Sequence, residues 1–188
     1  MEWFKIEKTL FPGQQANEKI YLIIRQHWFV LGLKLAAWGL FVAILLVGDI
    51  LIKQYAPQIL ASPYVEIYNL IKSIYLMFLI LGLLILWVIY YLNIQIITNE
   101  RIVDITQTSL IKHTISELHL NRIQDVTAEV HGFFETFLDF GNVYVQTAGE
   151  TTRFEFTKVA NPTAIEKLIL DLYDELPPEE KSKGQAGD

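Results

Sequence analysis

IYLMFLILGLLILWVIYYLNIQIITNERIVDIT, residues 74–106, changes character in its middle. From Ser73 to Asn99 there is no charged residue, and Ile74–Leu92 is apolar enough to cross roughly 30 Å of hydrocarbon as a helix of about 20 residues. After Leu92 the pattern becomes alternating. Asn93 and Gln95 interleave with Ile94 and Ile96, the period of a half-buried strand. Thr98, Asn99 and Glu100 then supply turn chemistry ahead of Ile102, Val103 and Ile105, so a β-hairpin is predicted. The stretch reads as a membrane-spanning helix running, without a flexible linker, into an antiparallel sheet.

Working toward the N-terminus, Phe29–Ile52 is a second apolar run, interrupted by Lys34 near one end and Asp49 near the other. Near helix ends such groups reach water by snorkelling, so neither calls for an ion path. Of 188 residues 52% are hydrophobic, and a soluble helical core would need polar faces that the second run lacks. A cleavable leader is not expected, because a polar segment precedes the first span and no short basic start abuts it. Basic residues set the orientation. Lys5, Lys8, Lys19 and Arg25 precede the first span, whereas only Lys53 and Lys72 lie between the spans. This bias predicts a two-span protein of the cell membrane with both termini cytoplasmic. Residues 1–28 form the N-terminal cytoplasmic segment, 29–92 the transmembrane hairpin, and Tyr55, Tyr64 and Tyr68 an outer aromatic belt. Arg25, His27 and Trp28 read as an interfacial anchor on the inner side. The chain has no cysteine, which fits either compartment.

Toward the C-terminus further strands are predicted at Leu110–Lys112, Ile115–Leu120, Ile123–Val130, Asn142–Gln146 and Thr152–Phe156, the last two joined by Ala148, Gly149 and Glu150. A single antiparallel meander is expected. Asn161 followed by Pro162 is an N-cap with proline at the first helical position. Ile165, Leu168, Ile169 and Leu172 then form one apolar stripe able to lie against an open sheet end. Residues 93–175 thus make a β-rich domain, and 176–188, beginning beyond this helix, read as a disordered tail.

The stretch HGFFETFLDFGN, His131–Asn142, places Phe133, Phe137 and Phe140 on one helical face with Phe134 and Leu138 beside it. The expected role is a core plug, with Gly132 and Gly141 turning the backbone in and out. The alternative is insertion into a bilayer or a partner's groove, against which Glu135 and Asp139 weigh where lipid is anionic.

ITNERIVDI, the run SELHLNRIQDVTAEVHGFFETFLDFGNVYVQTAG and the NP-initiated helix, taken in that order, resemble the bacterial pleckstrin-homology (PH) membrane protein family. LFPGQ and RQHW ahead of the first span, and two spans before one domain, are similar to its layout. Gln14 departs from the acidic residue usual after Pro-Gly. The resemblance covers about residues 10–173. It implies a PH-like, partly open antiparallel barrel of about seven strands capped by a C-terminal helix, and it implies little about activity.

Charge excludes several roles. Between Glu100 and Asp171 six basic residues face eleven acidic ones, which argues against nucleic-acid binding and against specific capture of anionic lipid. No HExxH, CxxC, GxSxG or phosphate-loop pattern occurs, and His113 and His119 need not converge along extended chain. No catalytic residue, metal, cofactor or small-molecule substrate is expected. What the sequence supports is a non-catalytic, membrane-anchored interaction module binding a protein partner or a second copy, with Arg122, Gln124, Asp125, Phe133 and Phe137 as candidate surface. The alternative is a lipid-contacting domain that uses Phe133–Phe140.

Overall fold

Runs with no polar face become the two long helices, and the alternating segments become strands. The structure is a computed structural model and describes residues 14–15, 18–107, 109, 111–147 and 154–185. Contacts divide the chain into two units. One comprises Met1–Ile24, Ile94–Asp104 and Ile115–Asp188; the other comprises Arg25–Asn93 and Ile105–Thr114.

In the helical unit α1 (Trp28–Tyr55) and α2 (Tyr64–Leu92) form an antiparallel hairpin joined through a short 3-10 turn, Pro57–Leu60. Both are long and apolar enough to cross a membrane, and almost none of their residues is fully buried inside the chain. Polar contacts recur along the seam at a steady register. Asp49 accepts from the Tyr68 hydroxyl and, at 2.6 Å, from Lys72 Nζ. The Tyr75 hydroxyl donates to the Phe41 carbonyl at 2.8 Å, and that of Tyr90 to the Gln26 carbonyl at 3.0 Å. Between them Gly82 makes room for an indole: a Cβ at that position would lie 3.2 Å from Trp38 Nε1. Snorkelling is therefore not how Asp49 is accommodated, because its partners stand on the facing helix and on Lys53 one turn along, at 2.8 Å. Lys34 is exposed. His27 is buried and caps α1 by accepting from Phe29 N, while Trp28 is exposed and Arg25 stacks on Tyr91.

Among the described residues seven strands form two antiparallel sheets that do not close into a barrel. The first sheet has the order β1 (Ile20–Ile24), β2 (Ile94–Thr98), β3 (Arg101–Gln107), β4 (His113–His119); the second has β5 (Ile123–Glu129), β6 (Phe140–Thr147), β7 (Phe154–Ala160). The single meander expected from sequence thus breaks at a 3-10 turn, Leu120–Arg122, where buried Leu120 is drawn inward and its amide donates to the Glu100 carbonyl. Ile111 and Lys112 precede β4 and form no strand of their own. Leu110, the turn Ala148–Glu150, Thr152 and the segment Leu10–Gly13 lie outside the described residues. Val143, Val145, Phe156, Val159, Ile97 and Ile102 are fully buried between the sheets. Helix α4 (Pro162–Asp174) is capped by the Asn161 side chain and sets Ile165, Ile169 and Leu172 into that core, with Leu168 half-buried beside them. Where a disordered tail is expected, α5 (Pro178–Gln185) follows: Pro178 presets the first helical φ, and Glu179 and Glu180 stand at the positive end of the helix dipole.

The sequence assigns no element to the residues ahead of α1, yet they complete the first sheet. β1 pairs with β2, so residues on both sides of the helical hairpin share one ladder. The Thr98–Arg101 turn fastens it. Glu18, with a fully buried side chain, receives Arg101 Nε at 3.0 Å on one carboxylate oxygen and Arg101 Nη2 at 2.9 Å on the other. Thr98 Oγ1 lies 2.8 Å from both Glu18 Oε1 and the Arg101 carbonyl, its single proton serving one at a time. Asn99 holds the neighbouring backbone through Lys19 N at 2.7 Å and Lys19 O at 3.1 Å. Glu117 takes the remaining face of the guanidinium at 2.6 Å. Burial pushes the Glu18 carboxyl up, but hydrogen bonds from Arg101, the Gln15 amide and Thr98 outweigh it and hold the group below the ordinary carboxylate range.

Removing one partner from such a pair strands a buried charge, at a cost of about 3–5 kcal/mol. Arg101→Met is expected to destabilise the β unit by about that much in thermal unfolding followed by circular dichroism. Glu18→Leu combined with Arg101→Met should recover most of the loss, and a single variant as stable as the parent refutes the role of the pair. Because the folded Glu18 value lies below the unfolded one of about 4.3, the stabilisation is complete above that pH. It disappears as pH falls through the lowered folded value.

Candidate interaction surface

Between β5 and β6 the chain makes one short helix, α3 (Phe133–Leu138). Gly132, at φ +110°, turns into it, and the Thr136 amide and hydroxyl both return to the Gly132 carbonyl at 3.0 and 2.9 Å. Glu135 folds back to accept from the His131 amide at 2.9 Å and forms an ion pair with Lys158 of β7. Asp139 then adopts the left-handed conformation at φ 50° and ends the helix; its carbonyl accepts from Asn161 N at 2.8 Å. The segment is short but fastened at both ends.

This termination decides where the phenylalanines go. A helix continued to residue 140 would put Phe133, Phe137 and Phe140 on one face, as the sequence reading has it. The left-handed Asp139 instead begins a strand, so Phe140 turns into the core at 3% exposure. Phe133 and Phe137 are each 78% exposed and Phe134 is 58% exposed. The core-plug expectation is therefore wrong for three of the four rings. Phe133 and Phe137 stack in parallel with centroids 6.3 Å apart, and Phe134 meets Phe133 edge-on at 5.6 Å. The result is a preformed aromatic wedge, since rings of this kind lose little rotamer freedom when they bind.

Of the two acidic residues that the sequence reading set against this segment, Glu135 is paired with a cation. Lys158 holds the Glu135 carboxyl below the ordinary carboxylate range, working against partial burial and helped by the His131 amide. Lys158 is itself fixed by a left-handed backbone at φ 55° whose amide donates to Asn142 Oδ1 at 2.9 Å. Sequence could not reveal this partner, 23 positions away and on another strand.

Arg122, Gln124 and Asp125 are exposed at the start of β5, an edge strand of the second sheet. The register slips between Ile123 and Asp125, a bulge at the edge. The wedge follows the far end of the same strand, about 20 Å away at 3.3 Å per residue. The five residues singled out from sequence thus form two separate patches. His113 and His119 are exposed at opposite ends of β4 and do not converge. Among the described residues no cluster of three or more His, Asp or Glu could hold a metal ion.

The family model of the bacterial PH domain matches residues 30–173, from the first turn of α1 into the last turn of α4. The chain belongs to the bacterial PH domain family. The match takes in all of α2 and all but the first two residues of α1, whereas β1 and Glu18 lie ahead of it. PH domains of this family are typically non-catalytic. A DUF1696 family protein with a pleckstrin-homology domain from Shewanella loihica is similar in structure, at 15% identity, covering 43% of this chain and 70% of its own, with a TM-score of 0.37. Comparison with curated proteins gives no match.

Gly141 places the wedge in this PH domain, because a Cβ there would meet the Glu129 carbonyl oxygen at 2.3 Å. Backbone cannot yield as a side chain does, so Gly141→Ala should cost about 1–3 kcal/mol of domain stability. Thermal unfolding checks this, with Gly132→Ala as a reference in which only φ, and no neighbouring atom, is at issue. Protection from hydrogen exchange at 133–138, taken relative to the intrinsic rate at each pH, should fall on acidification only below about pH 4.3, as the lowered Glu135 carboxyl takes up its proton.

Proposed function

We propose that this PH domain is a non-catalytic interaction module, anchored in the cell membrane by α1 and α2, which uses the aromatic wedge of α3 to bind a protein partner or a second copy. The observation that carries the reading is the exposure of Phe133, Phe134 and Phe137 on a helix fastened at both ends. Apolar rings left in water by a domain with its own filled core mark a contact surface. Such anchors contribute most when they enter a desolvated pocket.

Anchoring is supported by the apolar helices, almost none of whose residues is fully buried within the chain. A two-span topology is supported by the β1–β2 ladder, because strands that pair must lie in the same compartment. The excess of Lys and Arg ahead of α1 favours the cytoplasm for that compartment.

A lipid surface is the second reading for the wedge. It is favoured by short connections, since three residues separate β1 from α1 and Asn93 alone separates α2 from β2. Acidic Glu129 and Asp139 beside the wedge, and the acidic balance of the domain, oppose contact with an anionic leaflet. A protein groove has no such objection.

Replacing Phe133 and Phe137 together by Ser should leave unfolding unchanged, because neither ring is buried. In membranes from cells making the full chain, photo-crosslinkers at Thr136 should yield a discrete protein adduct, either to a partner or to a second copy. The adduct should fall at least about tenfold in the double variant, in keeping with one or two interface anchors. Adducts to lipid alone favour the second reading, and no adduct of either kind counts against the wedge as a contact.

A further inference from the structure

The hairpin carries a second site, unrelated to the wedge. Asp49, Lys53, Tyr68 and Lys72 converge on the seam near the turn that joins the helices. The helices, of 28 and 29 residues, are each about 42 Å long at 1.5 Å per residue, against a hydrocarbon core of about 30 Å. Asp49 stands six residues from the end of α1, about 9 Å. A centred hairpin therefore puts this cluster where acyl chains give way to headgroups.

Two features go beyond a clasp between helices. The first is charge. One carboxylate faces two ammonium groups, so the cluster itself is net positive; Glu66, in the first turn of α2, is exposed and forms no part of it. Each ammonium has three N–H donors, of which Asp49 takes one. Lys53 is 63% exposed, with donors left for a ligand. The second is shape. Directly alongside lies a cavity of about 190 Å³, walled by Ile44, Gly48, Ile52, Ile71 and Tyr75 and open above Gly48, where nothing stands within 4 Å of a Cβ. A positively charged rim over an apolar trough complements an amphiphile whose head is anionic and whose tail is hydrocarbon.

We infer that this groove binds one anionic phospholipid, its phosphate on Lys53 and Lys72 and part of an acyl chain against Gly48 and Ile71. The inference rests on the membrane reading above. It differs from interaction through the PH domain, because no residue of the β unit takes part. Asp49 sets the strength of the site: it holds both lysines in place and reduces their charge.

The test separates a lipid site from a clasp alone. The Asp49–Lys72–Tyr68 contacts bridge the helices, whereas Lys53 lies on the same helix as Asp49, so Lys53→Gln removes a headgroup donor and spares the bridge. The full chain is reconstituted in nanodiscs of equal phosphatidylglycerol and phosphatidylcholine, and the lipids retained on release are counted by native mass spectrometry. The parent should retain phosphatidylglycerol in several-fold preference. Lys53→Gln should lower that preference by about threefold or more at unchanged helicity. Equal retention of the two lipids by the parent, or no change in Lys53→Gln, overturns the site. Carbonate extraction of the source membranes distinguishes the failures. A chain that stays in the pellet without lipid preference refutes the groove only; a chain released to the supernatant refutes the membrane reading and the groove together.

Discussion

The ion pair between Glu18 and Arg101 joins chain that precedes the helical hairpin to chain that follows it, and the rest of the architecture is built around that closure. A carboxylate with no solvent exposure is tolerable only when its charge and lone pairs are met. Here a forked guanidinium, a hydroxyl and an amide meet them together. The same turn supplies Asn99 to the adjoining backbone, so Thr98, Asn99 and Arg101 all serve one purpose. With β1 held against β2, two long helices leave and re-enter a single sheet, and any membrane they cross is crossed an even number of times.

The two units satisfy apolar side chains in different ways. In the β unit the sheets and α4 enclose Phe156, Val143 and Ile169 completely. In the helical unit most apolar side chains face outward, and the seam depends on few contacts: Asp49 with Tyr68 and Lys72, Tyr75 with Phe41, Trp38 over Gly82, Tyr90 with Gln26. That is the economy expected where the surroundings are hydrocarbon, since apolar contact between helices then gains little over contact with lipid. The wedge of α3 fits neither arrangement. It is apolar and exposed, and is fastened at both ends, within a unit whose core encloses Phe140 and Phe156.

Much of this could be read along the chain. The uncharged run to Leu92 and the alternation after it specify helix and strand through local periodicity, and Asn161-Pro162 with the stripe Ile165–Leu172 specifies α4. The order of motifs named the fold family. Each of these signals lies within a few residues, so no knowledge of distant partners is needed.

Tertiary structure decided the remainder, because the deciding partners are far apart in sequence or depend on a single dihedral angle. β1 is a short segment whose strand character comes from β2, more than seventy positions later. Glu18 gives no sign of burial until Arg101 is beside it. Asp49 looks like a residue at a helix end until Tyr68 and Lys72 face it. Most consequential is Asp139: one left-handed residue divides HGFFETFLDFGN so that Phe140 enters the core and Phe133, Phe134 and Phe137 leave it. Periodicity fixes which residues share a face only while the helix lasts. Where it stops was set by backbone geometry and by the Lys158 and Asn161 contacts, which bring β7 and the start of α4 against it.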